Sequence, residues 1–240
     1  MHFRPGYRRN KLFLISYLII LISYLSSLIC AASGVYFSCS TGGEKTVALT
    51  FDDGPHPVYT REILGILEEY GIRATFFCIG SNAEQYPEIV REVAAAGHEI
   101  GNHTYGHPNL GEAGYEGTME EILGMENALA GALEEASPHL FRPPGGMYCD
   151  EVCRAAADLD YSVILWSVDT RDWAHTAVED IVENVLTNTD AGDIVLFHDY
   201  VSGESPTPEA LRRILPELVE RGVRFCTVSE MIEGRGGDMK

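Results

Sequence analysis

Two carboxylates, Asp52 and Asp53, stand side by side just ahead of Gly54-Pro55. Adjacent carboxylates repel one another, so the pair calls for a cation or a division of labour. Further along, His103 and His107 are separated by three residues. At that spacing two imidazoles on a turn or short helix can reach one ion. With Asp53 they offer two nitrogens and one oxygen, the donor set of a first-row divalent metal. Zinc is the first expectation and cobalt or manganese the alternatives, with positions left open for water and substrate. If Asp53 is a ligand, Asp52 stands beside the ion and is free to take a proton from a water attacking a carbonyl. Arg142 precedes Pro143-Pro144-Gly145-Gly146. It could hold and aim Asp52 through a charge-assisted pair. The Gly145 N–H, unshielded by any side chain, could donate to a developing oxyanion. His198 could serve as the acid for a leaving group, with Asp172 keeping it protonated. Trp173 and Tyr148 offer flat apolar faces of the kind on which sugar rings stack. Each has a plainer alternative: a turn or cap for Asp52-Asp53, a structural pair for the histidines, a surface arginine, a satisfied core histidine, ordinary aromatic packing.

These residues need elements that bring them together. Period-2 and short apolar runs predict strands at 45–51, 74–79, 98–100, 139–141, 161–168, 193–197 and 223–228. Helical spacing of apolar residues predicts helices over 63–70, 87–96, 118–136, 150–158 and 177–188, and one opening at Thr207-Pro208. Alternating strands and helices imply parallel strands with crossover helices. The expected fold is α/β, a distorted (β/α) barrel of seven or eight units, with an open doubly wound sheet as runner-up. No G-x-G-x-x-G follows the first strand, which weighs against a dinucleotide fold. The candidate residues all follow strands, and in a barrel those ends share the catalytic face.

The chain has 240 residues, 45% hydrophobic and 22% charged, the composition of a globular protein. Lys plus Arg number 17 against 36 Asp plus Glu, a net charge of −19. Such a surface repels a phosphate backbone, so nucleic acid is excluded as a partner. Arg4, Arg8, Arg9 and Lys11 precede a charge-free run, Leu12 to Ala32. Residues 1–32 therefore read as a hydrophobic membrane-targeting segment, either a signal peptide cleaved near Cys30-Ala31-Ala32 or an uncleaved membrane anchor. The basic flank stays inside, which puts the remainder outside the cytoplasm, membrane-anchored or secreted. Residues 33–44 read as a linker and 45–240 as the catalytic domain. Beyond residue 32 there are 13 basic and 36 acidic residues, a net charge of −23. Nothing in the sequence sets an oligomeric state.

Taken in order, TFDDGP, H-T-x-x-H, R-P-P, D-T-x-D-W and L-F-H-D resemble the polysaccharide deacetylases of carbohydrate esterase family 4, over about residues 45–230. The resemblance implies a distorted (β/α) barrel and metal-dependent removal of acetyl groups from sugar polymers, usually the N-acetyl of N-acetylglucosamine. By that similarity Asp53, His103 and His107 are the metal ligands, Asp52 the base and Arg142 the residue that orients it. His198 is the acid, tuned by Asp172, while Leu196 and Trp173 make the pocket for the acetyl methyl. Many relatives carry a tyrosine where this chain has Gly145. The backbone amide survives there and the aromatic wall does not, with Tyr148 a candidate to replace it. The substrate implied is a cell-wall glycan, peptidoglycan or chitin-like. The alternatives are an O-acetyl esterase of the xylan type, a binding protein without turnover, and a glycoside hydrolase. The last would hold two carboxylates farther apart across the sugar.

Overall fold

The computed structural model describes residues 34–133 and 139–234. The segment over 1–32, expected to target a membrane, lies outside the described residues, as does the end of the helix expected over 118–136. Among the described residues no helix is long and apolar enough to cross a membrane.

Among the described residues nine strands form one sheet: β1 (Val35–Tyr36), β2 (Thr46–Asp52), β3 (Thr75–Cys78), β4 (Glu99–Asn102), β5 (Leu140–Phe141), β6 (Ser162–Ile164), β7 (Val168–Asp169), β8 (Ile194–His198) and β9 (Arg224–Phe225). Their order is β1-β6-β5-β4-β3-β2-β8-β7, with β9 on the early part of β2, and every strand pair is parallel. The helices are α1 (Tyr59–Glu69), α2 (Gly80–Gln85), α3 (Pro87–Ala95), α4 (Leu110–Ala132), α5 (Asp150–Asp158), α6 (Val178–Asn188), α7 (Thr207–Glu220) and α8 (Val228–Ile232).

Alternation along the strands sorts side chains into two layers. On β2, Val47, Leu49 and Phe51 join the large core shared with the helices, packed against Ile63, Ile66 and Leu67 of α1 and Leu211, Ile214 and Leu215 of α7. Each such buried side chain contributes about 1.5–3 kcal/mol. Ala48, between them, belongs to a smaller cluster with Phe77, Leu140, Ile164 and Ile194, which α8 closes with Val228 and Met231. The inner positions nearer the strand ends are polar: Thr50, Asp52, His103, Arg142 and His198, all buried.

The connection after β6 curls the sheet. β6 and β7 are consecutive in the chain yet fall near opposite ends of the strand order. Only residues 165–167 join them, a span of roughly 14 Å at full extension. Leu165 N–H donates to Tyr36 O (2.7 Å) and Ser167 N–H to Ile194 O (3.0 Å), so this short link spans the gap between β1 and β8. The result is a distorted, incompletely closed barrel of parallel strands, not the flat open sheet held as runner-up.

Four expectations change. The continuous strand over 161–168 is two strands, because 165–167 must turn across the gap. The linker over 33–44 includes β1, which pairs with β6 and continues to a Ser38–Asp193 bridge. The strand over 223–228 ends at Phe225, and Val228 opens α8 behind a Thr227 capping box. Helix α4 starts at Leu110, earlier than expected, under an Asn109 cap, and breaks at Gly114 (φ 65°). Helix α2, too short to show a period, was legible in no pattern.

Cys39 N–H donates to Gly192 O at 2.9 Å, and a Cβ on Gly192 (φ 92°) would collide with the Cys39 carbonyl. Gly192→Ala is therefore expected to destabilise the fold by about 1–3 kcal/mol, read as a lower urea midpoint. Gly131→Ala, where a Cβ meets nothing within 4 Å, is the control and should be neutral or stabilising.

Candidate active site

Strand alternation and one backbone reversal assemble the site. Asp52 is the last inward residue of β2, so Asp53 would ordinarily face the helices. It does not, because its φ of 74° breaks the strand and returns its side chain to the same pocket. Asn82 Nδ2 donates to Asp53 O (2.8 Å), and Asp199 N–H donates to Asp52 O (3.2 Å), pinning the reversal from both sides. The Asp199 carboxylate fills the space where a Gly54 side chain would go, and accepts from Thr60 Oγ1 at 2.6 Å. Burial, reinforced by the charges of Asp53 and Asp52, raises Asp199 to about 7 against the opposing Thr60 bond.

Asp53 Oδ1 lies 3.3 Å from Nε2 of His103 and 3.3 Å from Nε2 of His107. One ligand atom from each of the three lies within 4.8 Å of the others. His103 Nδ1 is 2.7 Å from the Arg142 carbonyl oxygen. A carbonyl only accepts, so Nδ1 carries the hydrogen and Nε2 of the neutral ring presents a lone pair. Asp53 Oδ1 is buried and has no hydrogen-bond partner. Two imidazole nitrogens converging on an orphaned carboxylate oxygen suit a divalent cation. Burial lowers the His103 pKa, but the nearby Asp52 and Asp53 outweigh it and raise it. Burial raises Asp53, but the neighbouring histidines, His103 first, outweigh it and leave it lowered. In His107 burial prevails and the pKa falls. The loop carrying His107 is tied to α4, where Glu121 accepts the N–H groups of Tyr105 (2.9 Å) and Gly106 (2.7 Å).

Arg142, just past β5, is fully buried. Its Nη1 donates to Asp52 Oδ1 (2.6 Å) and Thr50 Oγ1 (2.8 Å), Nε to Ile164 O (3.2 Å) and Nη2 to Leu165 O (3.0 Å). The guanidinium sits 4.1 Å from the centre of the Phe77 ring. His198 ends β8, with Nδ1 2.7 Å from Asp172 Oδ1. The other Asp172 oxygen accepts from His198 N–H (2.8 Å) and Thr207 Oγ1 (2.6 Å). Burial pulls the His198 pKa down, but Asp172, then Asp52 and Asp53, outweigh it and raise it to about 9.

Asp52, Asp53, His103, His107 and His198 line one cavity of about 350 Å³, together with Gly145, Leu196 and Trp173. Arg142 and Asp172 stand behind its wall. Tyr148 is not in the wall: it is 45% exposed and meets Phe37 edge-on. A second indole, Trp166, joins Trp173 in the wall, packed where a Gly146 side chain would fall. Trp166 and Asp169 also line the cavity, yet carried no role in the sequence reading. Asp169 and Asp199 lay inside quoted motifs; Trp166 was hidden in an apolar run read as plain strand.

A parallel barrel with carboxylates and histidines collected at its strand ends, in a pocket suited to a cation, defines the class of barrel hydrolases. A family model described as polysaccharide deacetylase matches residues 40–164. A peptidoglycan-N-acetylglucosamine deacetylase of Bacillus cereus is 45% identical over 191 residues, 79% of this chain and 89% of that one. A chitooligosaccharide deacetylase of Sinorhizobium fredii is 38% identical over 190 residues, 75% and 88% of the two chains. A crystal structure of the Bc1960 peptidoglycan N-acetylglucosamine deacetylase superposes with a TM-score of 0.79 at 37% identity, covering 83% of this chain and 92% of that one. The chain belongs to the polysaccharide deacetylase family, and it is a hydrolase.

In metal-free protein the His198 ring is expected to titrate near 9, followed by NMR of its ring C–H signals. Asp172→Asn removes the dominant partner and should bring the midpoint to the free-imidazole range near 6.5 or below. An unchanged midpoint would assign the proton to Asp52 and Asp53 instead.

Proposed function

We propose that this protein removes the N-acetyl group from N-acetylglucosamine units of a wall glycan, peptidoglycan or a chitin-like oligomer, outside the cytoplasm. One observation carries the reading. A single pocket presents a carboxylate paired with a buried arginine, Asp52, and an imidazole paired with a buried aspartate, His198. An acid and a base in one site, set apart by their surroundings, are what amide hydrolysis needs.

Asp53, His103 and His107 would hold the divalent ion, zinc first among candidates. When bound, the ion supplies Lewis-acid polarisation of the acetyl carbonyl and a more acidic water. Asp52 takes the proton from the attacking water, aimed by Arg142. The Gly145 N–H, at the cavity wall, would donate to the oxygen that gains charge as the carbonyl carbon becomes tetrahedral. His198, with Nδ1–H given to Asp172, presents Nε2–H to the leaving nitrogen. The C–N bond breaks as that nitrogen takes the proton, giving acetate and a free amine. Leu196 and Trp173 receive the methyl. The names of the relatives support the substrate class, and the basic flank with the charge-free run Leu12 to Ala32 supports export by a leader or anchor.

The O-acetyl esterase alternative needs the same base but less acid, because an alkoxide leaves more readily than an amide anion. The investment of Asp172 and Thr207 in keeping His198 protonated favours the amide.

Asp52→Asn is expected to cut acetate release from N-acetylglucosamine oligomers by at least about 10²-fold. Metal content by elemental analysis should stay at the wild-type level. Loss of metal with activity would make Asp52 a ligand and overturn the division of roles.

A further inference from the structure

Eight large apolar side chains are exposed among the described residues, and four of them, Phe37, Met147, Tyr148 and Trp173, lie on segments that line or adjoin the cavity wall. Trp173 lines the cavity itself. Met147 and Tyr148 follow the Gly145 that forms part of its wall. Phe37 comes from an unexpected place, the segment just after β1. Leu165 N–H bonds Tyr36 O, which seats that segment beside Trp166, another wall residue. Phe37 and Tyr148 then meet edge to face, ring centres 6.0 Å apart and planes at 73°. Both remain 45% exposed. Exposed apolar surface concentrated in one place marks a binding site rather than ordinary surface. Two rings at nearly right angles also lock one another, so little freedom is lost when a ligand packs on them.

We propose that Phe37 and Tyr148 form a stacking subsite for a neighbouring sugar of the same glycan whose acetamide occupies the cavity. The subsite rests on the proposed glycan substrate and specifies its length: the chain must extend past the reacting sugar along Trp166 toward Tyr148 and Phe37. Continuity with the cavity selects the occupant. The apolar faces of a pyranose ring match flat aromatic surfaces, and a net charge of −19 disfavours a polyanion there. The subsite also gives the residues after the N-terminal segment a function, since β1 delivers Phe37.

The test compares an N-acetylglucosamine pentamer with the disaccharide on metal-loaded protein, by acetate release and by calorimetric binding. Phe37→Ala and Tyr148→Ala should each lower pentamer kcat/KM roughly three- to tenfold, through KM, and weaken pentamer binding in proportion. The disaccharide should change by less than about twofold. Phe37→Trp should retain the pentamer preference, and Phe37→Leu, apolar but not flat, should lose it. Equal losses on both lengths, or pentamer binding unchanged in both alanine variants, would overturn the subsite. Wild-type protein that binds the pentamer through Phe37 yet releases no acetate would leave the subsite standing and remove the deacetylase reading instead.

Discussion

Arg142 carries a full positive charge with no exposure to solvent. Taking a guanidinium out of water costs several kcal/mol, so such a residue persists only if its donors are met. Here they reach β2 through Asp52 and Thr50, and the end of β6 through the carbonyls of Ile164 and Leu165, while Phe77 of β3 covers its face. One side chain from β5 thus ties four strands together at the level of the pocket floor. Its own carbonyl oxygen fixes the His103 tautomer. The carboxylate and the first imidazole are therefore oriented by a single residue, and the barrel interior is polar at this level because it must be.

Above that floor the geometry follows from the strand period. A strand can send only alternate residues inward, which supplies Asp52, Leu196 and His198 without strain. Two neighbouring carboxylates in one pocket violate the period, and the violation is met by the left-handed backbone of Asp53. Positive φ recurs at Thr104 and His107, in the loop that brings the second histidine to the same point. Residues other than glycine adopt that conformation only where surrounding contacts impose it, and such positions gather at functional sites. Asn82, Asp199 and Glu121 are the contacts that impose it here.

The pocket is also divided electrostatically. On one side a carboxylate is balanced by a buried arginine, and on the other an imidazole is held protonated by a buried aspartate that Thr207 and two backbone N–H groups satisfy. Neither setting uses surface charge, so both are little screened by salt. The acidic exterior is left to govern solubility and the choice of partners.

The sequence by itself determined the strand–helix alternation, the parallel class and the strand ends at which chemistry collects, because hydrophobic period and local turn residues are short-range properties. It also named Asp53, His103 and His107 as a possible common site, since ligand type and spacing are written in one dimension. Tertiary structure alone decided the rest. The division of 161–168 into two strands came from the need to cross the barrel gap in three residues. The strand at Val35 came from a partner, β6, more than a hundred residues away. Tyr148 points to Phe37 while Trp166 takes the wall, because packing around Gly146 leaves that space to the indole. Asp199 and Thr50 matter through neighbours on other strands. Contacts between residues distant in the chain leave no period for a sequence to display, and the supports of the site are made of such contacts.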